Sequence, residues 1–188
     1  MRALRGQPAF TPKVGPMSDL RFRPVAADDL VLFQRLATEP DFMGLDWHGF
    51  RDAGAPARRF ADDGYLGSDD SWLLVERDAV TAAMVTWRRP PFGEPGWSWE
   101  IGILVFPEFR GQGIGWRAQA MLCDYLFCHT PVQRIQAATH PENIAEQNAL
   151  VKAGFQLEGT IRAIEFRGGE WRDGLLYSRL RTDPAPAV

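Results

Sequence analysis

The chain has 188 residues, of which 45% are hydrophobic, 24% charged and 12% aromatic. This composition is typical of one globular domain with a sizeable core. The seven Trp and twelve Phe residues exclude a disordered or low-complexity chain, because such chains lack the apolar surface for a core. The formal charge of −3 disfavours a general nucleic-acid-binding protein, which needs a basic face.

The chain carries no targeting or membrane signal that we recognise. No run of about 18 apolar residues predicts a membrane span, and the N-terminus lacks the apolar stretch of a secretory signal. Cys123 and Cys128 have the spacing of neither a metal site nor a disulfide framework. We therefore expect a cytoplasmic protein with two buried free thiols and no metal. Residues 1–17 are predicted to form a flexible extension, residues 18–182 the domain and residues 183–188 a tail.

The first half of the chain reads as strands and two helices around an irregular segment. A strand opens the domain, and Asp28 or Asp29 can cap a helix that carries apolar residues on one face. Residues 39–53 combine glycines with large apolar side chains, and they are predicted to be irregular. The remaining elements are a helix over 55–63, two strands over 71–76 and 80–87 joined by a turn, a breaker run over 88–96, and a buried strand over 97–105.

The second half alternates helices and strands. A Gly-rich turn is followed by a helix over 114–128, a strand over 132–139, a helix over 143–153 and a hairpin of strands over 155–166 and 171–180. Asn143 and Glu146 have the spacing of a capping box, and Gly154 can end the helix. The order of elements predicts one mixed α/β domain, with helices on both faces of a single sheet.

The segment between the buried strand and the helix over 114–128 is the most informative one. Gly111, Gly113 and Gly115 alternate there, so a ligand can approach the backbone closely. The first turn of the helix offers unpaired N–H groups that suit a phosphate, and Arg110 can add a full charge. The expected ligand therefore carries a diphosphate.

Two common phosphate-binding motifs do not fit this segment, and a structural interpretation stays open. A P-loop ends in Gly-Lys-Ser/Thr, whereas this chain continues with Trp116 and Arg117. A dinucleotide-binding fingerprint needs a further glycine at position 116 and follows the first strand of its unit. The alternative is a Gly-rich turn that only allows tight packing.

The segment resembles the signature of the GNAT superfamily of acyl-CoA N-acyltransferases, Arg/Gln-x-x-Gly-x-Gly/Ala after a buried strand. Here the signature reads Arg110-Gly111-Gln112-Gly113-Ile114-Gly115. The run over 103–111, Pro141-Glu142-Asn143 and Lys152-Ala153-Gly154-Phe155 are also similar to family motifs. Trp99-Glu100-Ile101-Gly102 resembles the RimJ/RimL branch, which acetylates ribosomal-protein N-termini. The specific likeness covers residues 97–180, and it implies a GNAT-like, mainly antiparallel sheet that splits near Val105.

The resemblance implies acetyl-CoA, or another acyl-CoA, as the co-substrate. The strand residues at the split would bind the pantetheine arm and hold the oxyanion, and the glycine loop would bind the diphosphate. Asn143 would lie near the pantetheine, and Lys152 would reach a phosphate. The cofactor-binding residues expected on this basis are Ile103, Leu104, Val105, Arg110, Gly111, Gln112, Gly113, Ile114, Gly115, Asn143 and Lys152.

Two glutamates are candidates for the catalytic proton transfers. An ammonium group must lose a proton before it can attack a thioester, and Glu100 is the carboxylate best placed for this relative to the motif. Glu146 occupies the position where the RimJ/RimL branch often has a serine that protonates the leaving thiolate. If Glu100 is not the base, the aspartates of residues 41–63 are the next candidates.

The acceptor is expected to be an amine beside an apolar body. Residues 40–53 fall where this family builds its acceptor site, and Trp47, Trp97 and Trp99 are the expected substrate-binding residues. Asp41, Asp46, Asp52, Asp62 and Asp63 would favour a cation there. The predicted activity is acyl transfer to a primary amine of a small molecule or a peptide N-terminus, by direct attack in a ternary complex. The alternative is a non-catalytic acyl-CoA sensor, and the C-terminal strands are compatible with a homodimer.

Overall fold

The structure is a computed structural model that describes residues 19–90 and 98–186. Within these ranges seven strands form one sheet. They are β1 (Leu20–Arg23), β2 (Asp70–Arg77), β3 (Val80–Arg88), β4 (Ser98–Val105), β5 (Arg134–Thr139), β6 (Gln156–Arg167) and β7 (Glu170–Leu180). Their order in the sheet is β1-β2-β3-β4-β5-β7-β6, and all neighbouring strands are antiparallel except β4 and β5, which are parallel.

Helices cover both faces of the sheet, as the order of elements predicted. They are α1 (Leu30–Thr38), α2 (Pro40–Met43), α3 (Ala55–Asp63), α4 (Ile114–His129) and α5 (Ile144–Lys152). Short 3₁₀ turns occupy Ala27–Asp29, Gly44–Asp46 and Pro107–Phe109. The segment 39–53, expected to be irregular, therefore contains one helical turn and a 3₁₀ turn before its irregular part begins.

Two cores lie on opposite faces of the sheet because successive strand residues point in opposite directions. Val85 of β3 belongs to the larger core with residues of α4, including Leu122. Its neighbour Met84 belongs to the smaller core with Phe33 and Leu36 of α1. The cores hold β4, which carries the candidate site, between helices on both sides.

The sheet forks between β4 and β5. The two strands are paired only over Ser98–Glu100 and Arg134–Gln136, whereas β4 remains paired with β3 up to Val105. The edge of β4 from Ile101 onward is therefore open toward β5. The split was expected near Val105, but the strands already diverge after Glu100, so the open edge is longer than the sequence indicated.

Several expectations lie outside the described residues. These are the flexible extension over 1–17, most of the breaker run, Trp97 and the last two residues of the predicted tail. No helix in the described ranges is both long enough and apolar enough to cross a bilayer.

Candidate active site

The glycine loop leads directly into α4. Gly111 and Gly113 have φ angles of 72° and 73°, a left-handed conformation that glycine adopts at little cost. Gly113 is the N-cap residue of α4 and supplies no side-chain cap, so the first N–H groups of the helix are left for another acceptor. A Cβ at Gly115 would lie 3.7 Å from Val105 and 3.9 Å from Ala149. The loop therefore brings the start of α4 close to both β4 and α5.

Polar side chains around the loop form hydrogen bonds with other residues of the protein. The Arg110 guanidinium donates to the carbonyls of Val105 (3.1 Å) and Phe42 (3.3 Å). The Gln112 amide donates to the Glu108 carbonyl at 3.1 Å and accepts from Arg77. Arg110 thus connects the loop to the end of β4 and to α2. Its contact with phosphate stays a prediction, and so does that of Lys152, which is exposed at the end of α5.

A cleft of about 670 Å³ opens at the fork. It extends from the open edge of β4, across the end of β5, to the segment that joins α2 and α3. Both glutamates predicted to be catalytic line it, together with Asn143 and a group of further charged side chains. Its lining includes Met43, Asp46, His48, Arg51, Asp52, Arg88, Glu100, Ile101, Gly102, Ile103, Leu104, His140, Asn143, Glu146 and Glu165.

Glu100 lines the cleft, but both of its carboxylate oxygens already accept hydrogen bonds. Oε1 accepts from Arg88, with Nε at 2.9 Å, and Oε2 accepts from the buried Gln136 amide at 3.0 Å. The Glu100 side chain is only 13% exposed. These bonds connect β3, β4 and β5 at the point where the fork begins. Glu100 therefore has a structural role, and its role as a base stays a prediction.

Glu146 has the surroundings of a proton donor. Burial, together with the smaller effect of the nearby Asp46 charge, raises the pKa of this carboxyl to about 8, against the opposing effect of the Gln119 amide. The expected capping box forms only in part. Asn143 Oδ1 accepts from the Glu146 N–H at 3.2 Å, but the Asn143 N–H donates to the His140 carbonyl at 3.0 Å. The carboxyl group lines the cleft instead.

The three tryptophans expected to bind substrate have different positions. Trp99 is 6% exposed and belongs to the core on the α4 face, where its Nε1 lies 3.3 Å from Thr130 Oγ1. The prediction for Trp99 is therefore wrong, because its side chain points away from the face that Glu100 uses. Trp47 packs edge-on against Phe50 between cleft residues, and its role stays a prediction. Trp97 lies outside the described residues.

A charged cluster in the cleft was not predicted from the sequence. His140, just after β5, contacts Glu165 of β6 through Nδ1 (2.9 Å) and Asp46 through Nε2 (3.1 Å). Glu165 also pairs with His48. The sequence did not indicate this cluster, because Glu165 faces the cleft only through a bulge in β6. The alternation of residues along a strand does not reveal a bulge.

The cysteines lie outside the cleft. Cys123 is fully buried, and burial raises the pKa of its thiol to about 12. Cys128 is exposed, so the expectation of two buried thiols was wrong for this residue. Over 19–90 and 98–186, no group of three or more His, Cys, Asp or Glu side chains is arranged to hold a metal ion.

The forked sheet, with a glycine loop at the start of the following helix and a cleft across the fork, defines the class of fold that the sequence motifs indicated. A family model described as an acetyltransferase (GNAT) domain matches residues 19–156. The chain belongs to this GNAT family.

A known protein with a similar sequence supports this assignment. A probable N-acetyltransferase of Bacillus subtilis, YjcK, is 32% identical over 83 residues, which cover 44% of this chain and 46% of that protein. The aligned part therefore spans less than half of that relative.

Two solved structures share the fold. Spermidine N-acetyltransferase from Vibrio cholerae, in complex with CoA and spermine, has a TM-score of 0.77 at 18% identity and covers 88% of this chain and 98% of its own. RimJ from Mycobacterium smegmatis, in complex with CoA-disulfide, has a TM-score of 0.67 at 25% identity and covers 86% and 82%. The predicted GNAT fold of the RimJ/RimL type is confirmed.

Proposed function

We propose that this protein transfers an acetyl group, or another small acyl group, from acyl-CoA to a primary amine. The observation that carries the proposal is the position of the glycine loop. It opens α4 beside the forked edge of β4, so one groove can receive the diphosphate at the loop and the thioester at the fork. Membership of the GNAT family and the CoA-bound relatives support the same co-substrate.

The open edge of β4 gives the proposed reaction its electrophilic site. Backbone groups of Ile103, Leu104 and Val105 on that edge have no partner in β5. They can bind the amide groups of the pantetheine arm, and an N–H there can stabilise the oxyanion that forms when the amine attacks. Residues 103–105 therefore hold the thioester, while Asn143 and the first turn of α4 hold the remainder of the co-substrate.

Glu146 is proposed to protonate the departing thiolate. A carboxyl with a pKa of about 8 is largely protonated at neutral pH, and it can donate a proton without a metal or a second cofactor. The amine would enter from the opposite end of the cleft, between the segment after α2 and the end of β5. This arrangement suits direct attack in a ternary complex.

A panel of amines tests the proposal. The protein is incubated with acetyl-CoA and either spermidine, single amino acids or short peptides with free N-termini, and release of the CoA thiol is followed. Turnover with one class identifies the acceptor. Both oxygens of Glu100 already accept hydrogen bonds. This favours one alternative, a sensor that binds acyl-CoA without catalysing acyl transfer. CoA binding in a direct titration, without turnover on any class of amine, would support that alternative and contradict the proposed activity.

A further inference from the structure

We propose that Asp46, His140 and Glu165 form a proton relay that accepts the proton of the acceptor ammonium. This inference rests on the proposed acyl transfer and assigns its base. The three side chains come from three elements: the 3₁₀ turn after α2, the end of β5, and β6. All three line the cleft.

Both ring nitrogens of His140 face a carboxylate. Nδ1 lies 2.9 Å from Glu165 Oε2, and Nε2 lies 3.1 Å from Asp46 Oδ1. A neutral imidazole carries one N–H, so one of these contacts would place two acceptors together. The contact between Nε2 and Asp46 has hydrogen-bond geometry, whereas Glu165 Oε2 faces Nδ1 at ion-pair distance. A proton shared between Asp46 and His140 therefore lies beside the Glu165 carboxylate, which attracts a positively charged ring.

Asp46 is better placed than Glu100 to receive a proton from substrate. The Asp46 carboxylate is 49% exposed in the cleft, and only its Oδ1 has a hydrogen-bond partner within the described residues. In Glu100 both oxygens already accept hydrogen bonds from Arg88 and Gln136. The second oxygen of Asp46 can thus contact an ammonium directly, and His140 and Glu165 act through it as positioning residues.

A distortion of β6 places Glu165 in the relay. The register of β6 against β7 shifts between Ile161 and Glu165, and Ala163 adopts a left-handed φ of 49°. The Ala163 N–H donates to Asp173 Oδ1 at 2.8 Å, which holds the bulge. Left-handed backbone at a residue other than glycine costs free energy, and here it directs Glu165 toward His140.

The charged groups around the relay give it an exit to solvent. Glu165 also contacts His48, which is 47% exposed, and lies 3.5 Å from Arg167. On the other side, Asp46 lies close enough to Glu146 to raise its pKa. The Gln147 amide donates to the His140 carbonyl at 3.3 Å. A proton taken up at Asp46 can therefore leave through His140, Glu165 and His48.

The proton balance of the reaction fits this arrangement. The acceptor ammonium gives one proton to Asp46, and the neutral nitrogen then forms a bond with the thioester carbon. When the carbon–sulfur bond breaks, the thiolate takes a proton from Glu146. The nitrogen, now bonded to the acyl carbon, loses its second proton to Asp46, and this proton restores Glu146. One proton is released to solvent for each amide formed.

The test compares His140→Gln with a matched control, His129→Gln, since His129 is exposed at the end of α4 outside the cleft. Asp46→Asn is a second variant in case the first fails to fold. Turnover is measured with acetyl-CoA and the amine that the wild-type protein accepts, from about pH 6 to about pH 9. We expect His140→Gln and Asp46→Asn to lower kcat about 10²-fold or more at neutral pH. The KM for acetyl-CoA should stay the same.

Two features distinguish a relay from a merely structural cluster. The kcat deficit of His140→Gln should shrink as the pH rises, because more of the bound amine is then already neutral. Glu165→Gln should shift the acidic limb of the kcat/KM profile to lower pH, because the positive charge on His140 loses its stabilising partner. A deficit that is equal at every pH, or full activity in folded variants, would overturn the relay while leaving the proposed function intact. A wild-type protein without turnover would overturn both.

Discussion

At the scale of single residues, the two glutamates predicted to be catalytic have opposite surroundings. One carboxylate oxygen of Glu100 accepts from the Arg88 guanidinium, and the other accepts from the Gln136 amide. Glu146 is desolvated and lies near another carboxylate, so its neutral form is favoured. The same residue type therefore meets hydrogen-bond donors in one place and desolvation in the other, and different surroundings are how a site gives two carboxyl groups different roles.

The first prediction concerns Glu146→Gln. Because the pKa of Glu146 is about 8, wild-type kcat should fall at alkaline pH with a midpoint near that value. In Glu146→Gln this limb should disappear, and kcat at neutral pH should fall only about tenfold, since a thiolate leaves readily and general acid catalysis contributes less. A pH series of kcat with saturating amine measures both effects.

The raised pKa of Glu146 also affects stability, and this provides an independent check. The folded protein binds this proton more tightly than the unfolded chain, whose carboxyl has its ordinary value near 4.5. The resulting stabilisation is complete below that value and is lost as the pH rises to about 8. The unfolding temperature of Glu146→Gln should therefore fall less over this range than that of wild type. The exposed Glu39→Gln should behave like wild type, and an equal decline in all three proteins would contradict the assignment.

The second prediction concerns Glu100→Gln and decides between two bases. If Glu100 were the base, the variant would lose about 10²–10⁴-fold in turnover at neutral pH. If the relay through Asp46 is the base, turnover should fall less than about tenfold. The free energy of unfolding should then fall by about 1–3 kcal/mol, because charge-assisted bonds at the start of the fork are weakened. Turnover and urea denaturation of the same preparation separate the two outcomes.

At the scale of elements, the start of α4 depends on the backbone of its glycine loop. Gly113→Asp should abolish CoA binding, because the φ of 73° is strained for any side chain and a carboxylate would repel the phosphates. A Cβ there would also approach Trp116 Nε1 to 3.2 Å. Titration of the variant with CoA should show at least a hundredfold loss of affinity.

Gly168→Asp is the matched control for this prediction. Gly168 has a similar φ of 61° in the turn between β6 and β7, with open space around its Cβ position. The variant carries the same strain and the same added charge away from the loop, so its affinity for CoA should equal that of wild type. Equal losses in both variants would mean that backbone strain, and not the phosphate site, explains the effect.

Most helices and strands were predictable from the sequence, whereas the local distortions that set the direction of side chains were not. The helix predicted over 55–63 is α3, with the same bounds, and the turn before β3 forms at Asp78 and Ala79. The fork begins earlier than expected because pairing of β4 with β5 depends on contacts distant in sequence. Alternation along β4 places Trp99 in the core and its neighbour Glu100 in the cleft. The bulge at Ala163 follows from no local signal.

At the scale of the whole molecule, β5, β6 and β7 are joined through an acid-sensitive ion pair. Glu158 of β6 accepts from Arg134 of β5 and from Ser178 of β7, and these bonds lower its pKa to about 2. A lowered pKa means stabilisation that is present above the ordinary value near 4.5 and is lost as the pH falls to about 2.

The last prediction follows from this pair. Glu158→Gln should lower the unfolding temperature by up to about 4 °C at neutral pH, the range for a partly exposed ion pair in a chain of this size. The difference should become small as the pH falls toward 2, where about half of the wild-type Glu158 carboxylate is protonated. Calorimetry at several pH values measures it. Glu170→Gln, at the exposed far end of the same hairpin, should show no such pH dependence.

The strand order determines when the sheet can be completed during synthesis. β7 follows β6 in the chain but lies between β5 and β6, so β6 has no neighbour until β7 has left the ribosome. Until then β5 remains an edge strand, and the long β6 has unpaired N–H and C=O groups. A ribosome synthesises roughly 5–20 residues per second. The nascent chain is therefore open to wrong strand pairing until β7 is inserted, and this interval is where a chaperone would be needed most.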